Sequence, residues 1–312
     1  MRRYLSQRLL DAVLTVLLVV TLVFVAMRVL PGDPAVAALG DMATPGQLAQ
    51  YRARMGLDAS LPVQYASFLW HVLRLDFGRS YVTGQSVLGQ ILANLPYTLE
   101  LTVAALLIGG VVGIPTGVLS ATRRGGWVDY VARGLSLAGF CIPDFTLGAL
   151  LLVVFALKLD LFPIMGGGTR PIDVLYHLML PACTLGLVMA SFTSRLTRSS
   201  MLEVLRKDYV RTARAKGAPP RLVVYKHALR NALIPVTTGF GIYVLALLSG
   251  SIAIEMVFSR PGLGSLLVNG ILARDYPVVQ ACLVVFALFV VAVNMMMDLL
   301  YAVIDPRIRV AA

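Results

Sequence analysis

Charge is scarce in this sequence, lysine scarcer still, and histidine and cysteine nearly missing; each shortage closes off a class of function. Charged residues are 14% of the 312 positions, against roughly 25% in ordinary chains, while 58% are hydrophobic and mean hydropathy is +0.81. That balance excludes a soluble domain. The only lysines are Lys158, Lys207, Lys216 and Lys226, followed by Leu, Asp, Gly and His. A P-loop needs Gly-Lys followed by Ser or Thr to hold phosphates, so this chain carries no nucleotide-hydrolysing motif. His71, His177 and His227 are scattered without an HExxH pattern, and the carboxylates are not paired on neighbouring turns. A metalloprotease or other membrane enzyme is therefore disfavoured, and no metal site is expected. Cys141, Cys183 and Cys282 fall inside apolar runs without a CxxC spacing and read as small buried hydrophobes. The net charge of +11 is compatible with nucleic-acid binding, but the basic residues gather between apolar runs and form no groove-lining patch.

What the sequence does have is apolar length. Six runs reach the roughly 20 residues of a spanning helix: 9–30, 98–120, 131–157, 174–194, 234–257 and 278–303. The first follows Arg2, Arg3 and Arg8. It is too long for a typical signal-peptide core and leads into Pro31-Gly32-Asp33-Pro34, so it reads as a retained helix. Asp11 is expected to pair with Arg8, and Arg28 to snorkel outward. Six spans with both termini cytoplasmic put 18 basic residues inside and 9 outside, as the positive-inside rule asks. Gly109, Gly113 and Gly117 give two overlapping GxxxG patterns, a seam for close helix packing, and Pro115 is a candidate kink. Asp144, Glu255 and Asp298 lie in apolar runs, where an ionisable group is a functional candidate by default. The plainer readings are that Asp144 caps a helix restarting after Pro143 and that Asp298 pairs with a neighbouring helix.

One long segment is polar and strongly basic, residues 208–235: DYVRTARAKGAPPRLVVYKHALRNALIP. It predicts helix, turn, helix. Gly217 suits a C-terminal cap, Pro219 and Pro220 suit the first turn of a second helix, and Leu222, Tyr225, Leu229 and Leu233 recur at helical spacing as an apolar face. Residues 209–217 and 226–235 resemble the coupling loop, the EAA loop, of ABC-importer permeases in its dipeptide/oligopeptide form. Arg211-Thr212-Ala213 stands where the general pattern has Glu-Ala-Ala, Gly217 is in place, and His227 and Arg230 occupy its Ile and Pro positions. That departure is similar to the peptide branch and unlike the sugar branch.

The resemblance, to the B-type permease subunit, extends over nearly the whole chain. It implies an all-α integral membrane protein with the type I ABC importer permease fold: an N-terminal transmembrane helix (1–30), an external loop segment (31–96) and a core permease domain (97–312) with the cytoplasmic coupling loop at 196–235. It implies a homologous second permease, two ATP-binding subunits that hold ATP and Mg, and an external substrate-binding protein, with no cofactor in this chain. The resemblance assigns ATPase coupling to Tyr209, Arg211, Thr212, Ala213, Arg214, Ala215, Lys216, Gly217, Ala218 and Pro219, and binding-protein contact to Asp76, Phe77, Gly78 and Arg79. Ser259-Arg260-Pro261 and Arg274-Asp275-Tyr276-Pro277 are also family-like and would be extracellular. Asp144 and Glu255 are the candidates for the substrate pathway. The cargo implied is a di- or oligopeptide; a nickel chelate, glutathione, an opine or an oligosaccharide is the alternative, and an ion-coupled secondary transporter working through broken helices is the competing class.

Overall fold

Six apolar runs become five unbroken helices and one broken pair in the computed structural model, which describes residues 2–29, 34–40, 42–54, 56–168 and 170–304. Helix α1 (Arg2–Val29) is followed by three short helices, α2 (Pro34–Leu39), α3 (Pro45–Arg54) and α4 (Leu61–Leu73), in the stretch expected to be loop. Then come α5 (Val87–Thr122), α6 (Trp127–Cys141) and α7 (Asp144–Leu151), which continues as a π-helical turn over Leu152–Lys158. Helix α8 (Pro171–Val204) leads to α9 (Asp208–Ala215) and α10 (Pro220–Leu222). A second π turn, Val223–Leu229, joins α10 to α11 (Arg230–Val257), and α12 (Leu263–Leu272) and α13 (Tyr276–Ile304) complete the chain.

The run 131–157 is where the single-helix expectation fails. Its two halves, Trp127–Cys141 and Asp144–Lys158, meet at 105°. Proline at 143 cannot donate a backbone hydrogen bond and disfavours helical angles in the residue before it; Ile142 accordingly adopts extended angles, and the helix restarts at Asp144. Pro115 lies within α5, which runs on past it to Thr122. The run 174–194 extends to Val204, so the first residues of the expected coupling loop, 196–204, belong to α8.

Two compact units are drawn from the chain, the first from Met1–Pro96 and Gly262–Met296 and the second chiefly from Tyr97–Pro261. The core of the first contains Val20, Val23 and Met27 of α1, Val87 and Ile91 of α5, Leu263 and Leu267 of α12, and Val278, Val279 and Cys282 of α13. In the second, α6, α7 and α11 pack on α8. The glycine seam works as a packing device there. A β-carbon at Gly113 would lie 2.8 Å from the Ala190 carbonyl oxygen, and one at Gly117 2.6 Å from that of Ser194, so only glycine lets α5 lie against α8 at these points.

Many large apolar side chains face outward, among them Leu107, Val111, Leu135 and Ile242. Such a surface is suited to lipid, since water would penalise it. Cys282 is buried as expected, whereas Cys141 is exposed and Cys183 half-buried; an apolar helix with a lipid-facing side need not hide a cysteine in the protein interior. The expected partners of Asp11 and Asp298 cannot be assigned, because the side chains of Arg8 and Asp298 lie outside the described residues.

Candidate coupling segment and polar sites

The basic segment folds as a capped elbow. Asp208 opens α9, placing a carboxylate where the helix dipole favours it, and Arg214 lies in the last turn. At the C-terminal end the Gly217 N–H donates to the Arg214 carbonyl at 2.9 Å and the Ala218 N–H to the Ala213 carbonyl at 3.2 Å. These are the two bonds of a Schellman motif, and they require the left-handed angle that Gly217 takes, φ +79°. Pro219 and Pro220 then start α10. Val210 is fully buried; Tyr209, Arg211, Thr212, Arg214, Ala215, Lys216, Gly217 and Pro219 are exposed, and Ala213 and Ala218 partly so. The elbow is tied back by the Asn231 amide, which donates to the Tyr209 hydroxyl at 2.8 Å.

The apolar face expected after the elbow is displaced. Leu222 and Tyr225 are exposed, and the buried positions are Val223, Ala228, Ala232 and Val236. The first interval is five residues and the next two are four. A π turn inserts one residue into the helical repeat, so a strictly α-helical count loses register across 223–229. Beneath it, Ala228 and Ala232 pack with Val118, Ala121 and Met201.

Beside this segment lies a buried ionic clasp that sequence reading missed. Asp129, 1% exposed, accepts from Arg198 Nε at 2.8 Å and Nη2 at 3.0 Å, from the Ser120 hydroxyl at 2.6 Å and from the Gly125 N–H at 3.0 Å. It thereby joins the end of α5, the following turn, α6 and α8. Its weaker ionic contact with Arg133, 3.6 Å away, has the local i,i+4 spacing, whereas that with Arg198 does not.

Of the two pathway candidates of the second unit, Asp144 is set against α11 and Glu255 lies on it. Asp144 is the first residue of the restarted helix, whose N-cap is Pro143, and makes no side-chain cap; its Oδ1 accepts from the Phe145 N–H at 2.8 Å, while its Oδ2 lies 2.6 Å from where a β-carbon on Gly250 would stand. Glu255 is fully buried and accepts from the Thr98 hydroxyl at 2.6 Å. Along α11, Gly250 and Glu255 differ by roughly 7.5 Å of rise.

In the first unit the structure joins two motifs that the sequence shows far apart. Ser80 donates to Asp275 Oδ2 and the Tyr81 N–H to Asp275 Oδ1 at 3.1 Å, which fastens the Asp76–Arg79 turn to the turn before α13. Gly78 takes φ +72°, its N–H donates to Asp76 Oδ1 at 3.2 Å, and Arg79 Nη1 donates to the Gly84 carbonyl. Burial pushes the Tyr81 phenol pKa upward, and the adjacent Asp275 carboxylate adds to this. Asp76, Phe77, Gly78 and Arg79 line an open groove of about 440 Å³ together with Arg28 and His71. Arg28, expected to snorkel outward, donates to Gln64 Oε1 at 2.8 and 3.1 Å and stacks on Phe24.

A membrane helix bundle with no nucleotide motif and an exposed, capped basic elbow is the form of an ABC-importer permease, and comparison with known proteins agrees. Residues 113–310 match the family described as binding-protein-dependent transport system inner membrane component, and residues 1–102 its N-terminal membrane component. The chain belongs to this family. A glutathione transport system permease protein of Pectobacterium atrosepticum is 42% identical over 309 residues, covering 99% of both chains. A protein of Brucella abortus named as a peptide transport system permease is 41% identical over 306 residues, covering 97% of this chain and 98% of that one. Among solved structures, the methionine ABC transporter MetNI in inward-facing conformations matches with a TM-score of 0.58 at 21% identity, over 69% of this chain and 96% of that one. The fold is thus that of type I importer permeases, and the chain is an inner-membrane permease subunit of an ABC importer, with ATP hydrolysis belonging to partner subunits.

Proposed function

We propose that this subunit forms half of the membrane path of an importer for short peptides, glutathione included, and that its elbow at 208–220 is the part gripped by a cytoplasmic ATPase. The observation that carries the coupling role is the elbow itself: an exposed, basic, Schellman-capped turn anchored through Val210 and the Tyr209–Asn231 hydrogen bond. The peptide cargo rests on relatives named for glutathione and peptide transport that match the chain end to end. A second, homologous permease completes the path. Two ATPases carry ATP and Mg, and a binding protein delivers cargo to the opposite face. Both termini lie on the ATPase side, and residues 31–96 lie on the binding-protein side with Asp76 to Arg79 in contact. Asp144, at the break between α6 and α7, and Glu255 face the path, where a carboxylate attracts a peptide ammonium group.

ATP-driven closure of the ATPases would pull on residues 209–219 and turn the helices joined to them. Gly217→Asp tests this. The substitution forces a side chain into left-handed backbone angles at about 1 kcal/mol, too little to prevent insertion, and adds an anion to a basic surface. The protein is expected to insert while both transport and transport-stimulated ATP hydrolysis fall. Wild-type transport in that variant would remove the coupling role.

A further inference from the structure

Arg260 follows α11 and looks in sequence like an ordinary loop cation, yet it is 1% exposed. Of its three guanidinium nitrogens, Nη2 donates to Glu100 Oε2 at 2.9 Å; Nε and Nη1 are buried and meet no acceptor among the described residues. The guanidinium lies 5.2 Å from the centroid of the Tyr97 ring. Gly167 closes over this corner, since a β-carbon there would come within 2.7 Å of Tyr97 and 2.9 Å of Pro261. The Arg260 N–H donates to the Glu255 carbonyl, and the Glu255 side chain, itself buried, accepts from Thr98.

A buried cation with two unmet donors is costly, and such a group in a folded protein calls for an explanation. Glu100 is a poor match for it. Its side chain is 40% exposed, and it uses one oxygen on one nitrogen. A carboxylate laid along either edge of the guanidinium would instead meet two donors at once. Exchanging one carboxylate for another leaves the local charge beside Glu255 unchanged, so the exchange carries no net electrostatic penalty from that side chain.

We propose that Arg260 binds the terminal carboxylate of the transported peptide when the path opens, and that Glu100 stands in for that carboxylate while the path is empty. This rests on the peptide-cargo reading above. It predicts that the permease, separately from its binding protein, distinguishes a free carboxylate from a neutral end.

The test uses the whole transporter in liposomes, with partner permease, ATPases and binding protein. ATP-dependent uptake of a labelled dipeptide is compared with uptake of the same dipeptide as its C-terminal amide. The acid-to-amide ratio is measured for the wild type, Arg260→Lys and Glu100→Gln with one binding protein throughout, so that protein's own preference cancels. Arg260→Lys keeps the charge and loses the fork; its ratio is expected to fall about tenfold, the worth of one charge-assisted hydrogen bond. Glu100→Gln weakens the stand-in, and its ratio is expected to rise. Ratios equal to the wild-type value in both variants overturn the proposal even where total uptake drops, because a purely structural arginine affects both substrates alike. Glu100→Gln decides alone if the Arg260→Lys chain does not insert. Failure of the cargo reading is distinct: the wild type would then hydrolyse ATP and take up neither dipeptide nor glutathione.

Discussion

Asp129 shows what single residues contribute to this permease and which of them a sequence can reveal. It holds Arg198 by two hydrogen bonds at a site where it is itself 1% exposed. Removing one member of a buried pair leaves the other uncompensated. Asp129→Ala is expected to destabilise the subunit by about 3 kcal/mol, the low end for such pairs, because a fifth of the Arg198 side chain reaches the surface. Thermal unfolding in detergent measures this, and the double variant Asp129→Leu, Arg198→Met should recover most of the loss. Gly113 makes a sharper steric case. Gly113→Val drives side-chain atoms into the Ala190 carbonyl and is expected to cost 1–3 kcal/mol or more of folded protein, about the penalty of overpacking. Gly110→Ala, where the added carbon meets only the Phe240 ring at 3.4 Å, is the mild control. The glycine seam was legible in advance because its signal is local, one residue every four. The Asp129–Arg198 and Glu100–Arg260 pairs were not, since 69 and 160 positions separate their members and nothing along the chain marks them as neighbours.

At the scale of elements, the readable features were again the local ones. Gly217 followed by two prolines announced the elbow, and the Schellman bonds are its physical basis. The apolar face beyond it was misread because the five-residue interval from Val223 to Ala228 does not occur in a regular α-helix. The π turn sets the rotation of the elbow relative to α11, which yields a prediction. Deleting Lys226, an exposed residue of that turn, restores an α-helical count and rotates the elbow by about 100° about the helix axis. Most of the transport is expected to be lost while the protein still inserts and its ATPases still hydrolyse ATP, measured as uptake per ATP consumed. Unchanged coupling would mean the turn is a passive irregularity. The run 131–157 was legible as apolar, and the proline within it was seen, but the 105° bend was not. A proline in a long apolar run permits either a kink or a full break, and the packing of α6 and α7 on α8 selects between them.

For the whole molecule, composition and charge distribution were enough to indicate a multi-span membrane protein. The chain's match to the binding-protein-dependent transport family over nearly its full length makes it a permease subunit. The stretch between the first two spans was readable as polar and long, whereas the fastening of its Ser80–Tyr81 turn to Asp275 depends on contacts almost 200 positions apart. The role proposed for this subunit is to couple ATP hydrolysis by its partners to import of short peptides. The most direct test is uptake of labelled dipeptide and labelled glutathione into proteoliposomes. These hold this chain, its partner permease, both ATPases and the binding protein, with ATP or a non-hydrolysable analogue enclosed. Accumulation of at least one of the two is expected with ATP, none with the analogue and none without the binding protein. Accumulation by this chain alone down an ion gradient, with no ATP present, would contradict that role.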